Sequence, residues 1–512
     1  MSTNTREPLP QTEKVDVLII GAGLSGIGAA AQLRKDHPDL TIKILDRRER
    51  IGGTWDLFRY PGIRSDSDMF TFSYKDHPWP STRTLADGDT IVDYIRTVAD
   101  QTGVAEFIDY ERLVTRADFS SLDNTWTVTA TTPDGLRTYA ATWLWSCAGY
   151  YSYDSGYQPD FPGLADYEGT FVHPQFWPED LDYDAKKVVV IGSGATAVTL
   201  VPSMAERVEH ITMLQRTPTY ILSRPGNDPM AVFFDWLPSL GPLKKLRDRA
   251  SYESVRWTNV LLTVGSYQLA QRRPKLVKKI IRDQTIKWLT AREGNAAGEG
   301  FTPEEAAEIV DTHFNPPYDP WDQRLCFVPD GDLFRWMRKG KASVVTDRIK
   351  TFTAKGIETE SGKTLEADII ISATGLSVQL FGGVEVYVDG EHIAKPQTMT
   401  YRGIMLTGIP NFFYTFGYTN ASWTLKADLV AGFVSRMIGH MRKTGHAKVV
   451  VPRDDSVSGR PMLDLSSGYI QRILDTLPKQ GDQAPWAVRQ NYFTDLKVIG
   501  RGKIDDGVAV FS

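Results

Sequence analysis

After a polar arm, residues 15–20 run Val-Asp-Val-Leu-Ile-Ile and stop at a glycine. A short apolar run bounded in this way reads as a buried strand of a parallel sheet. The turn Gly21-Ala22-Gly23-Leu24-Ser25-Gly26 follows, then a helical pattern over 27–34 and a second strand over 41–45. The same order returns further on, with Lys-Val-Val-Val-Ile over 187–191, a small-residue turn over 192–197, and a strand over 211–215. Strand, glycine turn and helix, written twice, predict an α/β chain with two doubly wound units. Between them, residues 125–130 and 140–147 read as strands around Pro133-Asp134-Gly135, a small antiparallel excursion. From 231 to 292 the pattern becomes helical, with few β-branched runs. Strands resume at 343–345 and 368–372, and a long helix is expected from about 422 to 444.

The two turns carry chemistry as well as shape. In the first, glycines allow a tight bend, close approach of backbone to a pyrophosphate, and close packing of helix on strand, with the helix N-terminus facing the phosphates. The strand after it ends at Asp46, 25 positions past Gly21, where a carboxylate can grip ribose hydroxyls. The bland alternative is a sharp turn beside a solvated strand end. The second turn, Gly192-Ser193-Gly194-Ala195-Thr196-Ala197, has alanine at its third small position, and its strand ends at Arg216-Thr217, 24 positions past Gly192. A carboxylate there would repel a 2′-phosphate, whereas a guanidinium fork holds one, so this site is expected to prefer NADP over NAD. Read blandly, Arg216 is a surface charge and the cofactor is NAD. An acid-ended and an arginine-ended site in one chain are what an enzyme using FAD and NADPH requires, one cofactor bringing hydride and the other receiving it.

Composition narrows the field. The 512 residues suggest about three domains. A net charge of −5 gives no electrostatic case for nucleic acid. Cys147 and Cys326 lie 179 positions apart, which rules out a disulfide framework, and the absence of a CxxC redox pair disfavours a disulfide reductase. No paired histidine spacing supports a metal site. Residues 1–15 are polar, carry Pro8 and Pro10 and lack the apolar centre of a signal peptide. No apolar run is long enough to span a bilayer. These features predict a cytoplasmic protein.

Between the two units lies Tyr167-Glu168-Gly169-Thr170-Phe171-Val172-His173-Pro174-Gln175-Phe176-Trp177-Pro178. This segment resembles the FxGxxxHxxxWP fingerprint of Baeyer–Villiger monooxygenases, within the class B flavoprotein monooxygenases, with Tyr167 in place of the usual Phe. Gly52-Gly53-Thr54-Trp55, Arg59-Tyr60-Pro61-Gly62 and Ala373-Thr374-Gly375 agree with that family, and the likeness covers nearly the whole chain. The resemblance implies two Rossmann-like domains with a helical insertion: an FAD domain from 1–150 and 386–512, an NADP domain from 151–225 and 330–385, and the insertion at 226–329. It implies a C4a-peroxyflavin that inserts one oxygen atom of O₂ next to a ketone carbonyl, giving an ester or lactone, with sulfides or thioamides as further small-molecule substrates.

Carried over by position, Arg324 matches the family's active-site arginine and Asp66 the acid that pairs with it. A fixed guanidinium would stabilise an anionic oxygen adduct; the bland reading is an ordinary ion pair. Gly21, Gly23, Gly26, Asp46, Thr54, Trp55 and Asp56 are expected at the FAD, and Gly192, Gly194, Thr196, Arg216 and Thr217 at the NADP. The family often has a lysine before the arginine; here it is Gln323, so NADP selectivity rests more heavily on Arg216 and Thr217. His173 is read either as a linker residue transmitting domain rearrangement or as a hydrogen-bonded loop histidine, and Trp177 as packing between domains. The rivals are an S- or N-oxygenating flavin monooxygenase without Baeyer–Villiger activity and a nonoxygenating NADPH-binding redox sensor.

One stretch stands apart. From 244 to 292 there are 13 Lys and Arg against three acids, with Val260, Leu261, Val264 and Tyr267 interleaved. A solvated helical insertion packed on the NADP module is the structural reading. Beside it stand peripheral contact with an anionic membrane and steering of anionic NADPH, both sensitive to salt.

Overall fold

The computed structural model describes residues 12–236, 244–291, 300–463 and 467–512. The start of the polar arm and Arg292, at the end of the basic stretch, lie outside the described residues.

The strand Glu13–Ile20 is exposed at its start and buried over Val-Leu-Ile-Ile, because those four residues sit at the centre of a nine-stranded sheet. It pairs in parallel with Ile42–Leu45 on one side and Gly135–Ser146 on the other. The strands Leu113–Ser120, Thr125–Thr132 and Gly135–Ser146 form an antiparallel meander, so the excursion expected around Pro133-Asp134-Gly135 is present. The chain comes back to this sheet late. Glu385–Val388 adds in parallel to Leu113–Ser120, and Phe412–Tyr414 pairs with Gly135–Ser146. The helix Trp423–Thr444 then packs on the helix Leu24–Asp36. Its buried Val430, Phe433, Val434, Met437, Ile438 and Met441 recur every three or four residues, which sets the inward stripe.

The second sheet has five strands, all parallel, in the order Ala342–Thr346, His210–Gln215, Lys187–Ile191, Ile369–Ser372 and Thr170–Val172. Its central Val188, Val189, Val190 and Ile191 are buried, as a parallel strand covered on both faces must be. Two segments pass between the sheets. Tyr151–Gly156 leaves the first and Leu376–Val378 leaves the second, and they pair with each other in an antiparallel ribbon.

The helical stretch contains Pro229–Trp236, Lys244–Arg272, Pro274–Thr290 and Pro303–His313, the last opened by a reciprocal Thr302–Glu305 capping box. It differs from expectation in two ways. The helix Lys244–Arg272 is seated on the first module. The Tyr252 hydroxyl lies 2.7 Å from Ser73 Oγ, and Arg256 Nη1 donates to the carbonyls of Phe70 and Ser73 at 2.8 and 2.9 Å. The cause is an inward stripe of Tyr252, Val255, Arg256 and Asn259 at helical spacing, hidden among the charges. The later helices pack on the second module, Pro274–Thr290 through Leu289 and the Gln284–Ser223 hydrogen bonds and Pro303–His313 through Ala306 and Val310. The stretch is also not helical to its end, since the buried Cys326–Pro329 is a strand pairing in parallel with Ile221–Arg224.

Candidate active site

The first glycine turn is shaped by contacts that exclude a side chain. Gly21 has φ +105°, and a Cβ there would lie 2.7 Å from the Cys147 carbonyl oxygen. A Cβ on Gly26 would lie 1.9 Å from the Gly21 carbonyl oxygen, so the helix that begins at Leu24 can sit close on the strand only with glycine there. Gly23 faces Gly53 across a narrow gap. Asp46 is buried at the end of the next strand. One of its carboxylate oxygens accepts the Ala22 N–H at 2.6 Å and the other the Arg48 N–H at 2.8 Å. Burial pushes its carboxyl upward while these two amides oppose the shift. The acid thus braces the turn, and its remaining lone pairs are available to ribose hydroxyls.

In the second turn, Ser193 Oγ donates to the Thr217 carbonyl at 3.2 Å and lies 2.7 Å from Thr219 Oγ1, tying the loop to the segment that carries Arg216. Arg216 is exposed. A Cβ built on Gly194 meets nothing within 4 Å. Backbone facing open space at the start of the helix Ala195–Met204 is the cradle a pyrophosphate requires.

Both turns open into one cavity of about 1080 Å³. Gly21, Gly23, Asp46, Thr54, Trp55, Gly192, Gly194, Thr196, Arg216 and Thr217 line it, together with Asp66, Gln323 and Arg324. Phe58, Tyr60, Tyr150, Tyr151 and Trp423 give it an aromatic wall, with Tyr150 stacked on Trp423 at 5.4 Å between ring centres. Arg324 Nη2 and Asp66 Oδ2 are 2.9 Å apart, and each side chain is about one-third exposed.

Gly26 does not line the cavity; it acts from behind, through helix packing. Asp56 is a correction. It does not line the cavity: it is buried and forms ion pairs with Arg48 at 2.5 Å, Arg50 at 3.2 Å and Arg59, so its carboxylate braces the loop that carries Thr54 and Trp55. His173 is also absent from the cavity wall. Its Nδ1 accepts the Gln175 N–H at 3.2 Å, burial lowers its pKa, and its ring lies against Gly156 of the connecting ribbon. Trp177 packs at the edge of the second core. Burial pushes the Cys147 and Cys326 thiols up to about 12, which makes both poor nucleophiles.

A second ion pair went unread in the sequence. Arg64 Nη1 lies 2.7 Å from Asp332 Oδ2, and the side chains retain only 9% and 13% exposure. The two pairs are crossed. Residues 64–66 of the first module contribute arginine then acid, and residues 324–332 do the same. That repeated order of charges was the available signal. Two other guanidinium nitrogens of Arg64 are buried without a partner among the described residues, so Asp332 is its compensation. Removing the acid in Asp332→Ala strands a buried charge and is expected to destabilise the fold by about 3–5 kcal/mol. Thermal unfolding of the flavin-loaded protein checks this.

The flavin-binding monooxygenase-like family model matches residues 14–235. The FAD-containing monooxygenase EthA of Mycobacterium tuberculosis is 49% identical over 97% of both chains. The chain belongs to the FAD-containing monooxygenases. Among solved structures, open cyclohexanone monooxygenase matches with a TM-score of 0.71 at 22% identity, covering 98% of this chain and 100% of that one. Oxidised steroid monooxygenase bound to NADP matches at 0.70 and 20% identity, covering 97% and 99%. At that identity these two show the fold, a pair of dinucleotide modules around one cavity. The residues present fit an FAD: Gly21, Gly23, Asp46, Thr54 and Trp55, which line the cavity nearest the first sheet, would hold it, and the second turn lines the same chamber. No described helix is long and apolar enough to cross a membrane.

Proposed function

We propose that this FAD-containing monooxygenase uses NADPH to place one oxygen atom of O₂ beside a ketone carbonyl, yielding an ester or lactone, and also oxygenates sulfides or thioamides. In this reading residues 1–150 and 386–512 carry FAD, and residues 151–225 and 330–385 carry NADP. The observation that carries it is the Arg324–Asp66 pair in the wall of a cavity shared by both glycine turns.

Bound in the two cradles, the cofactors supply hydride transfer and the activation of O₂. The chain supplies the rest. Arg324 presents a fixed positive charge to an oxygen that becomes anionic during the reaction, in a partly enclosed site where such a charge acts more strongly than in water. Asp66 keeps that guanidinium in place. The aromatic wall from Phe58 to Trp423 excludes water from the reacting atoms. Arg216 and Thr217 hold the 2′-phosphate, so Arg216→Ala is expected to raise the Michaelis constant for NADPH far more than that for NADH. Steady-state kinetics with both coenzymes checks this, and an unchanged ratio moves the phosphate site elsewhere.

The deciding experiment is product analysis with a simple ketone and a sulfide under NADPH and air. Ester from the ketone supports the reading. Sulfoxide alone points to an S- or N-oxygenating enzyme, and hydrogen peroxide with no oxygenated product points to a redox sensor.

A further inference from the structure

Exposed large hydrophobic side chains are not scattered evenly over this protein. Of the thirteen among the described residues, nine fall in three consecutive helices: Val232, Phe233 and Trp236 in Pro229–Trp236, Trp257, Leu261, Leu262 and Leu269 in Lys244–Arg272, and Leu276 and Ile280 in Pro274–Thr290. Trp236 is 80% exposed. The inward faces of the two longer helices are already satisfied by Tyr252, Val255, Val260 and Ile281, so the exposed residues of these two helices form an outward apolar face on each. The helices adjoin one another. Thr258 Oγ1 reaches Met230 Sδ, and the amides of Arg273, Leu276 and Val277 tie the bend at Pro274. At that bend Arg272, Arg273 and Lys275 are exposed and form no ion pair with any described residue.

We propose that this face docks the protein onto an anionic lipid bilayer, with Leu269, Leu276 and Ile280 entering the headgroup boundary and Arg272, Arg273 and Lys275 meeting lipid phosphates. Apolar side chains ringed by unpaired cations match the charge and the apolar depth of such a surface. A second copy of the chain fits less well. Two identical faces meeting about a two-fold axis would set the same unpaired cations against each other. NADPH steering fits less well too, because it needs only the cations and leaves the exposed apolar side chains beside them without a role.

The test is sedimentation of the flavin-loaded protein with phosphatidylcholine vesicles made with and without phosphatidylglycerol, at low and high salt. Binding to the anionic vesicles, and release by salt, is expected. Replacing all three cations, Arg272→Gln, Arg273→Gln and Lys275→Gln, should weaken binding about a hundred-fold, and the triple change Leu269→Ser, Leu276→Ser and Ile280→Ser should abolish it. Both variants should keep their flavin, their melting temperature and their NADPH oxidation rate. Absent vesicle binding, or binding that neither variant alters, overturns the proposal. So does a serine variant that changes the oligomeric state in sedimentation velocity without any vesicle binding, which assigns the face to a second copy.

Discussion

With Arg324 replaced by alanine, NADPH should still reduce the flavin while oxygenated product falls by about 10²–10³-fold, the loss typical of removing one preorganised donor from an oxyanion site. The split between the two half-reactions is what matters. Arg324 lies in the wall of the shared cavity, held by Asp66 at 2.9 Å, and both glycine turns remain untouched by the change. Anaerobic reduction followed by product analysis in air separates the two steps. Full product yield from the variant would remove Arg324 from the chemistry and leave the pair as a structural contact. Arg324→Lys should recover only part of the loss, since it restores the charge but not the planar fork that Asp66 holds.

Gly26→Ala is expected to give a protein that no longer retains FAD. The new methyl would lie 1.9 Å from the Gly21 carbonyl oxygen, which is backbone fixed by the adjoining sheet and unable to yield as a flexible side chain would. Flavin content after purification and the melting temperature measure the damage. Gly194→Ala is the contrast. Its methyl meets open space, so folding and flavin content should stay intact while NADP binding weakens. Loss of fold in both variants, or in neither, would contradict the packing argument.

How far each feature was legible follows from the range of the constraint behind it. Gly21 and Gly192 could be read directly, because a positive φ and a close backbone approach act within one turn. The Asp46 end of the second strand was equally local. Arg324 and Asp66 were reached through a family likeness, since nothing in their immediate neighbourhoods announces that 258 positions of chain fold them together. The Arg64–Asp332 pair spans 268 positions and escaped notice for the same reason. Asp56 stands back from the cavity while its neighbours Thr54 and Trp55 face it; the arginines at 48, 50 and 59, all close in sequence, showed where its charge would go. The helix Lys244–Arg272 was assigned to the wrong module because an abundance of Lys and Arg masked the stripe that seats it on Phe70 and Ser73.

The ribbon of Tyr151–Gly156 against Leu376–Val378 has a mechanical consequence. Two separate tethers would let the halves of the molecule slide and swivel independently, whereas crossings zipped side by side behave as one strap. Such a strap bends readily across its plane and resists stretching along its length, so it holds the two sheets at a set separation, with both glycine turns on one cavity. His173, wedged against Gly156, braces that strap at its end.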